Sequence, residues 1–466
     1  MHRIAIVGGG YAGFYTAWKL EKHLRRNEAE VTLIDPRSSM TYQPFLPELM
    51  AGSVEARHVA ISYRRHLKRT RILTARATYV DHAHKTITLR QADGTTSALH
   101  YDTVLLTAGA VTRTFAVPGI AQTAVGLKTI EEAVYIRDTM IGNLQKAAMT
   151  SPGPARDRLL TVVFVGGGFA GIEAFGELRS MTTALLRRYP ELSSADTHFH
   201  LVEATGRILP EVSLRTSTWV RRHLADRGAH IHLDTQVESA IDGRVTLSDG
   251  QILDTDLLVW TAGVVANPLV TRHTDLPLDE KGRVRTRTDL RVGTFDSIVD
   301  GAWAAGDDAA VPDVTGGGFG ATPDHVGTTV PNAQHAVRQG KLLAENLVRV
   351  LRGGTPREYR HRNLGTVATL GLGQGVFQSG PIAVKGFPAW LMHRGYHVLA
   401  IPTWERKWRV AAGWLNNLVL GRDAVELHEV QSPRSAFAEA AALSGEHDVL
   451  PSASAMSATQ HLPQAS

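Results

Sequence analysis

Cysteine is absent from the chain. A redox-active thiol pair, a Cys-ligated zinc site and a Cys-ligated iron–sulfur cluster are therefore excluded. Sulfide oxidation through protein thiols is excluded with them. No apolar run reaches the roughly 18 residues that a spanning helix needs. No apolar leader precedes the first strand at Arg3, so no cleavable signal is expected. No long Lys/Arg run occurs either, although the isoelectric point is about 9.4. The basic residues are spread along the chain, and nucleic-acid binding is not expected. There is no H-E-x-x-H motif. The alternating pairs His82/His84, His198/His200 and His230/His232 lie in separate segments and read as exposed strand histidines, so no metal site is expected.

What the chain does have is one phrase written twice. Residues 4–13 read IAIVGGGYAG and residues 162–171 read VVFVGGGFAG. Each is an apolar run, read as a buried parallel strand, that ends in G-x-G-x-x-G. Gly8 and Gly166 allow the tight turn, Gly10 and Gly168 let backbone approach a pyrophosphate, and Gly13 and Gly171 let the helix pack close to the strand. The helix N-terminus then offers unpaired N–H groups to the phosphates. An acidic residue at the end of the next strand would bind ribose hydroxyls. Asp35 lies 22 residues after Gly13, and Glu203 lies 32 after Gly171. The second spacing needs a longer helix or loop, through residues 187–196. Two such units suggest two dinucleotides facing each other, with electrons passing between them.

The repeat extends further. Residues 105–111 read LLTAGAV and residues 259–265 read VWTAGVV, 96 residues from Gly13 to Gly109 and 92 from Gly171 to Gly263. Each T-A-G reads as the start of a strand leaving its nucleotide unit. A third segment, AWAAGDDAAV at 302–311, places Gly306 and Asp307 after a short apolar strand.

The length of 466 residues, with 43% apolar and 20% charged residues, describes a globular chain of two or three domains. Residues 1–120 and 285–384 read as one discontinuous FAD-binding domain and 121–284 as an inserted NAD(H)-binding domain. Residues 385–430 read as a C-terminal amphipathic segment, and 431–466, rich in Ser, Ala and Pro, as a disordered tail. From Lys385 to Arg422 there are six basic residues and one acid, with four of the eight Trp. On a helical wheel of 403–420, Trp404, Trp408, Ala411, Leu415, Leu418 and Val419 share one face, and Glu405, Arg406, Arg409, Asn416 and Asn417 the other, with Lys407, Val410 and Leu420 breaking the pattern. That pattern suits a lipid headgroup boundary, or packing on protein.

The two-dinucleotide pattern, Tyr42-Gln43-Pro44-Phe45-Leu46, the run GGGFAGIE at 166–173, Trp260-Thr261-Ala262-Gly263-Val264 and Ala333-Gln334 resemble the type II NADH dehydrogenases over residues 1–428. These are membrane-associated, single-subunit NADH:quinone oxidoreductases. The resemblance implies an α/β fold of two Rossmann-like domains, the pyridine nucleotide-disulfide reductase-like architecture, with a C-terminal membrane-associating helical segment. It implies FAD held by Gly8, Gly10, Tyr11, Ala12, Gly13 and Asp35, with Val80, Ala108, Gly109, Gly306, Asp307, Ala333, Gln334 and Lys385 completing the cofactor contacts. Asp307 would bond the ribityl chain. NADH would be held by Gly166, Gly168, Gly171, Glu203 and Gly263. Glu203 favours NADH over NADPH because a carboxylate repels a 2′-phosphate, with Arg207 nearby in sequence. Glu173 would lie between nicotinamide, flavin and quinone and serve in proton delivery, and Gln334 would border the quinone site. The family run A-Q-x-A-x-Q is altered here: Arg338 stands at the last position and Gln339 follows it.

Hydride transfer needs no protein nucleophile; the cofactors carry the chemistry. The expected reaction passes a hydride from NADH to FAD and two electrons on to a quinone, without proton pumping. The expected place is peripheral, on the cytoplasmic face of a membrane, as a homodimer. The high Ala, Arg and Gly content points to a GC-rich bacterial genome. Two other readings remain open on the residues alone: a soluble flavoenzyme reducing a small molecule or a carrier protein, and a nucleotide-binding flavoprotein with negligible turnover.

Overall fold

Both fingerprint strands sit inside parallel sheets, as their uninterrupted apolar runs require. The computed structural model describes residues 1–294, 296–315, 326–361, 365–422, 425–426 and 438. The chain divides into a unit Met1–Ala424 and a unit Val425–Ser466. Every element below belongs to the first. Apart from Ala438, the expected disordered tail at 431–466 lies outside the described residues.

The first sheet has six strands in the order Arg291–Gly293, Ile298–Ala304, Thr103–Leu106, His2–Val7, Ala29–Asp35 and Arg71–Thr74. The first of these pairs antiparallel and the rest are parallel. The chain thus returns to this sheet after residue 290, and Ala302 pairs with Val104. The second sheet runs Ala124–Val125, Leu257–Trp260, Thr161–Val165, His198–Val202 and Ala229–His232, all parallel. Its core includes Phe164, Phe175 and Phe199, whose rings meet edge to face at 5.5 and 5.8 Å. Each such pair adds about 0.5–1.5 kcal/mol beyond the area it buries.

The two T-A-G segments lead where their spacing implies. Strands Ala110–Thr112 and Val264–Ala266 follow them and pair antiparallel, so the two units are joined by a ribbon. The long Gly171-to-Glu203 spacing is taken up by helix Phe169–Leu185, four residues longer than its counterpart Tyr11–His23, and by the short 3-10 turns Leu186–Arg188 and Ser194–Asp196.

Helix Ala333–Leu351 crosses Tyr11–His23 at close range. A side chain at Gly340 would overlap the Ala12 carbonyl, and Thr16 Oγ1 donates to the Gly340 carbonyl at 2.9 Å. Residues 366–385 form a separate antiparallel sheet of three strands. It lies on helix Phe169–Leu185, with the Leu370 backbone against Gly176. Helices Phe387–Ala400 and Trp404–Leu420 follow.

The fingerprint glycines differ in what they require. Gly8 and Gly166 have φ of 99° and 107°, a region that side chains rarely adopt. Gly13 and Gly171 face a packing limit instead: a Cβ at either would overlap the carbonyl oxygen of Gly8 or Gly166 and the hydroxyl of Thr107 or Thr261. Gly171→Ala is expected to destabilise the protein by about 1–3 kcal/mol. Thermal unfolding measures it, and an unchanged midpoint would show that the helix can retreat from the strand without cost.

Candidate active site

Two threonines close the two nucleotide turns. Thr107 Oγ1 donates to the carbonyls of Val7 and Gly8 at 3.0 and 2.8 Å. Thr261 Oγ1 does the same for Val165 and Gly166 at 2.9 and 3.2 Å. The acids act in parallel as well. Asp35 Oδ2 accepts from the Gly9 amide at 2.7 Å, and Glu203 Oε2 from the Gly167 amide at 2.6 Å. Their other oxygens accept from the Arg37 and Thr205 amides at 2.8 and 2.9 Å. The acid that would face a ribose therefore also pins the glycine loop. Burial raises the Asp35 carboxyl, and the two amide donors act against that shift.

A cleft of about 390 Å³ opens beside the first fingerprint. Ten expected residues line it: Gly8, Gly10, Tyr11, Ala12, Asp35, Ala108, Gly109, Gly306, Asp307 and Ala333. Gly13 lies just behind, at the helix–strand contact. The cleft fits a dinucleotide on two observations. A side chain at Gly10 would project into open space, where a pyrophosphate approaches the backbone. The buried Tyr11 hydroxyl lines the cleft without a hydrogen-bond partner among the described residues.

Three expected cofactor residues are placed elsewhere. Val80 is fully buried and donates its amide to His273 at 2.9 Å; it does not line the cleft. Lys385 Nζ rests over the Trp219 ring, 4.8 Å from its centroid. Gln334 is half-buried in the first helical turn, capped by the Asn332 side chain, and does not line the cleft either.

Several lining or supporting residues were not read from the sequence. Lys128 lines the cleft, donates to the Ala110 carbonyl at 3.1 Å, and has its pKa lowered by burial while Asp307 opposes the shift. Tyr63 donates to the Gly9 carbonyl at 2.9 Å. Gln339, one place past the family position, is fully buried. Its Oε1 accepts from the Gly306 amide at 2.8 Å and its Nε2 donates to Thr329. It holds the loop that presents Asp307 rather than facing a quinone. None of these carries a local sequence signature.

In the second unit, Gly168 again faces open space. Arg207 spends Nη2 on the carbonyls of Leu209, Pro210 and Val212, so this group is committed to its own loop. Glu173 lies one turn into helix Phe169–Leu185. The Thr369 amide donates to its Oε1 at 3.2 Å, and His393 Nε2 lies 3.0 Å from the same oxygen.

Two Rossmann-type sheets joined by a ribbon, each with a glycine turn pinned by an acid, define a protein of the two-dinucleotide class. The pyridine nucleotide-disulphide oxidoreductase model matches residues 2–340, and the chain belongs to that family. Without cysteine it has none of the disulfide chemistry in that name. The chain is 26% identical over 427 residues to the type II NADH:quinone oxidoreductase Ndh of Mycobacterium tuberculosis, covering 89% of this chain and 87% of that one. It is 28% identical over 391 residues to the type II NADH:quinone oxidoreductase of Staphylococcus aureus, covering 82% and 91%. The solved structure of NDH2 from Plasmodium falciparum in complex with NADH shares the fold, with a TM-score of 0.82 at 18% identity over 91% of this chain and 99% of that one.

Asp308, beside the cleft, accepts from the Ala108 amide at 2.7 Å. Burial pushes its carboxyl up to about 7 from 3.8. The folded protein thus holds a proton that the unfolded chain has released, and stability falls as pH rises through that window. Asp308→Asn keeps the acceptor and removes the charge. It is expected to flatten the loss of thermal stability over that window; a variant with the wild-type slope would exclude Asp308 as its source.

Proposed function

We propose that the chain is an FAD-dependent NADH:quinone oxidoreductase working at a membrane surface. FAD, when bound, accepts a hydride from NADH and returns two electrons to a quinone. The chain's residues supply placement. Gly8, Gly10, Asp35, Asp307 and Ala333 would hold the flavin dinucleotide. Gly166, Gly168, Glu203 and Gly263 would hold NADH, with Glu203 accepting from the ribose 2′-OH. Glu173 would hold and deliver a proton, and Gln334 would border the quinone. The domain boundaries given above, 1–120 with 285–384, 121–284 and 385–430, are part of this reading.

One observation carries it. The two C-terminal helices bear outward apolar side chains and, on their inner side, His393, which reaches Glu173, and Trp414, which reaches Glu48. On helix Trp404–Leu420, Trp404, Trp408, Leu415, Leu418 and Val419 are all exposed. Part of the polar face turns inward: Glu405 pairs with Arg65, Arg406 donates to the Arg57 carbonyl and Asn417 to the Ser53 carbonyl, while Arg409 and Asn416 stay exposed and Val410 is buried. Helix Phe387–Ala400 likewise exposes Phe387, Leu391, Tyr396 and Leu399 while burying His393. A cluster of large apolar side chains turned outward suits an apolar surrounding. Among the described residues no helix is long and apolar enough to cross a membrane. Peripheral attachment at the cytoplasmic face, and a homodimer readable by sedimentation in detergent, belong to the same proposal.

The purified yellow protein is expected to reduce a short-chain quinone with NADH much faster than with NADPH. Gln334→Ala should retain flavin and lose about tenfold or more of quinone turnover. Flavin reduction by NADH with no quinone turnover in wild type would move the assignment to another acceptor. Replacing Trp404 and Trp408 by Ser should weaken vesicle binding by at least about tenfold, since burying each ring is worth roughly 1.5–3 kcal/mol. Co-sedimentation with anionic vesicles reads this, and equal binding by the double variant would remove these rings from the membrane face.

A further inference from the structure

Behind Glu173 lies a cluster of charge that the nucleotide sites do not use. It gathers residues from four stretches of chain. Helix Phe169–Leu185 supplies Glu173 and Glu177, and the short helix Leu46–Met50 supplies Glu48. Helix Phe387–Ala400 supplies His393, Arg394 and His397, and Arg422 follows the last helix. His393 and Glu48 are each only 1% exposed, and Glu177 is fully buried. Glu173 is the more open carboxylate, with 12% of its side chain exposed.

The three carboxylates are not equally partnered. Arg394 Nη2 lies 3.6 Å from Glu48 Oε2, which also accepts from Trp414 at 2.9 Å. Arg422 Nη2 lies 3.3 Å from Glu177 Oε2, and Thr369 donates to the other oxygen at 2.8 Å. Arg227 also acts on Glu177, so two of the three carboxylates have guanidinium partners and Glu173 has none among the described ion pairs. Leaving a partly buried charge unpaired is costly. A protonated His393 ring supplies the missing partner. Its Nε2 is 3.0 Å from Glu173 Oε1 and its Nδ1 is 3.8 Å from Glu48 Oε1.

We propose that His393 is the proton store and positioning residue for Glu173, holding the one exchangeable proton that Glu173 passes to the quinone. The proposal rests on the quinone reading above. The balance is simple. NADH brings two electrons and one proton, and a quinol needs two of each, so one proton per turnover passes through the protein. The His393 Nε2–H bond breaks as Glu173 Oε1–H forms, and that bond breaks as the quinol O–H forms. The cluster is then one proton short, and the excess negative charge draws a replacement from solvent through Glu173.

The surroundings favour this assignment. Burial works against charging His393, but Glu173, Glu48 and Glu177 together raise its pKa above 6.5. Burial raises Glu48, with Arg394 opposing. His397, whose ring lies 4.5 Å from His393, is held neutral by burial and by that neighbour. It meets the Tyr42 hydroxyl at 3.2 Å, and Tyr42 packs 6.0 Å from Tyr11 in the cleft wall. Burial keeps both tyrosines neutral. Of these groups His393 is the one whose ring reaches two carboxylates, Glu173 at 3.0 Å and Glu48 at 3.8 Å.

The test uses the full-length flavoprotein and the variants His393→Gln and Glu48→Gln. NMR of isotope-labelled histidine, without NADH or quinone, should show one ring titrating above the ordinary value; its signal is absent in His393→Gln and shifts to lower pH in Glu48→Gln. Rapid mixing with NADH should reduce the flavin of both variants at near wild-type rate. Reoxidation by a short-chain quinone should slow about tenfold or more in His393→Gln, with its fall at high pH starting at lower pH. Wild-type reoxidation rate and pH profile in His393→Gln would overturn the relay. A His393 ring neutral at pH 6.5 in wild type would overturn the store even if a variant fails to fold. Failure of the wild type to reduce quinone at all would sink the quinone reading instead, while the NMR titration still decides where the proton resides.

Discussion

The contact on which the first cleft depends leaves no room for a methyl group. Helix Tyr11–His23 begins so close to the end of strand His2–Val7 that Gly13 meets the Gly8 carbonyl. Because the approach is this close, the Thr107 hydroxyl can take the Val7 and Gly8 carbonyls, and Asp35 can take the Gly9 amide. The free amides at the helix start are then left facing the cleft, where an anionic pyrophosphate is favoured. The second unit repeats the arrangement with Gly171, Thr261 and Glu203. Its ribbon to the first unit starts from the same T-A-G segment that closes the turn.

A second constraint acts at the other end of the fold. The final helices turn several polar side chains against protein and expose most of their large apolar ones. In water alone this arrangement leaves apolar surface uncompensated and desolvates charge. Both costs fall if the outer face meets an apolar phase. The inner face is also put to use: Trp414 bonds Glu48, and His393 approaches Glu173. The surface suited to a bilayer and the proposed proton donor are therefore built from the same two helices. Displacing either helix would disturb both.

The nucleotide units were legible because their signals are local. A strand, a glycine turn and a helix start are set by a dozen consecutive residues, and each T-A-G marks where a strand leaves for the ribbon between the units. Ten of the expected cofactor residues line one cleft for that reason. Val80 and Lys385 were named through resemblance alone, and the packing places them outside it. Gln339 stands one place past the family glutamine; its side chain is spent on Gly306 and Thr329, a use that only the crossing of two distant segments reveals. Lys128 and Tyr63 carry no motif, since their roles come from where their backbones happen to pass.

The order of residues alone specifies two glycine fingerprints with their acids, the absence of thiol chemistry, and a final helix with one apolar and one polar face. It did not determine which face looks outward, because periodicity separates two faces without saying what each one meets. It also left Glu48, Glu173 and His393 as three unrelated residues. Bringing them within reach of one ring requires three helices to dock, and the free energy that docks them is spread over the whole core rather than written at any one position.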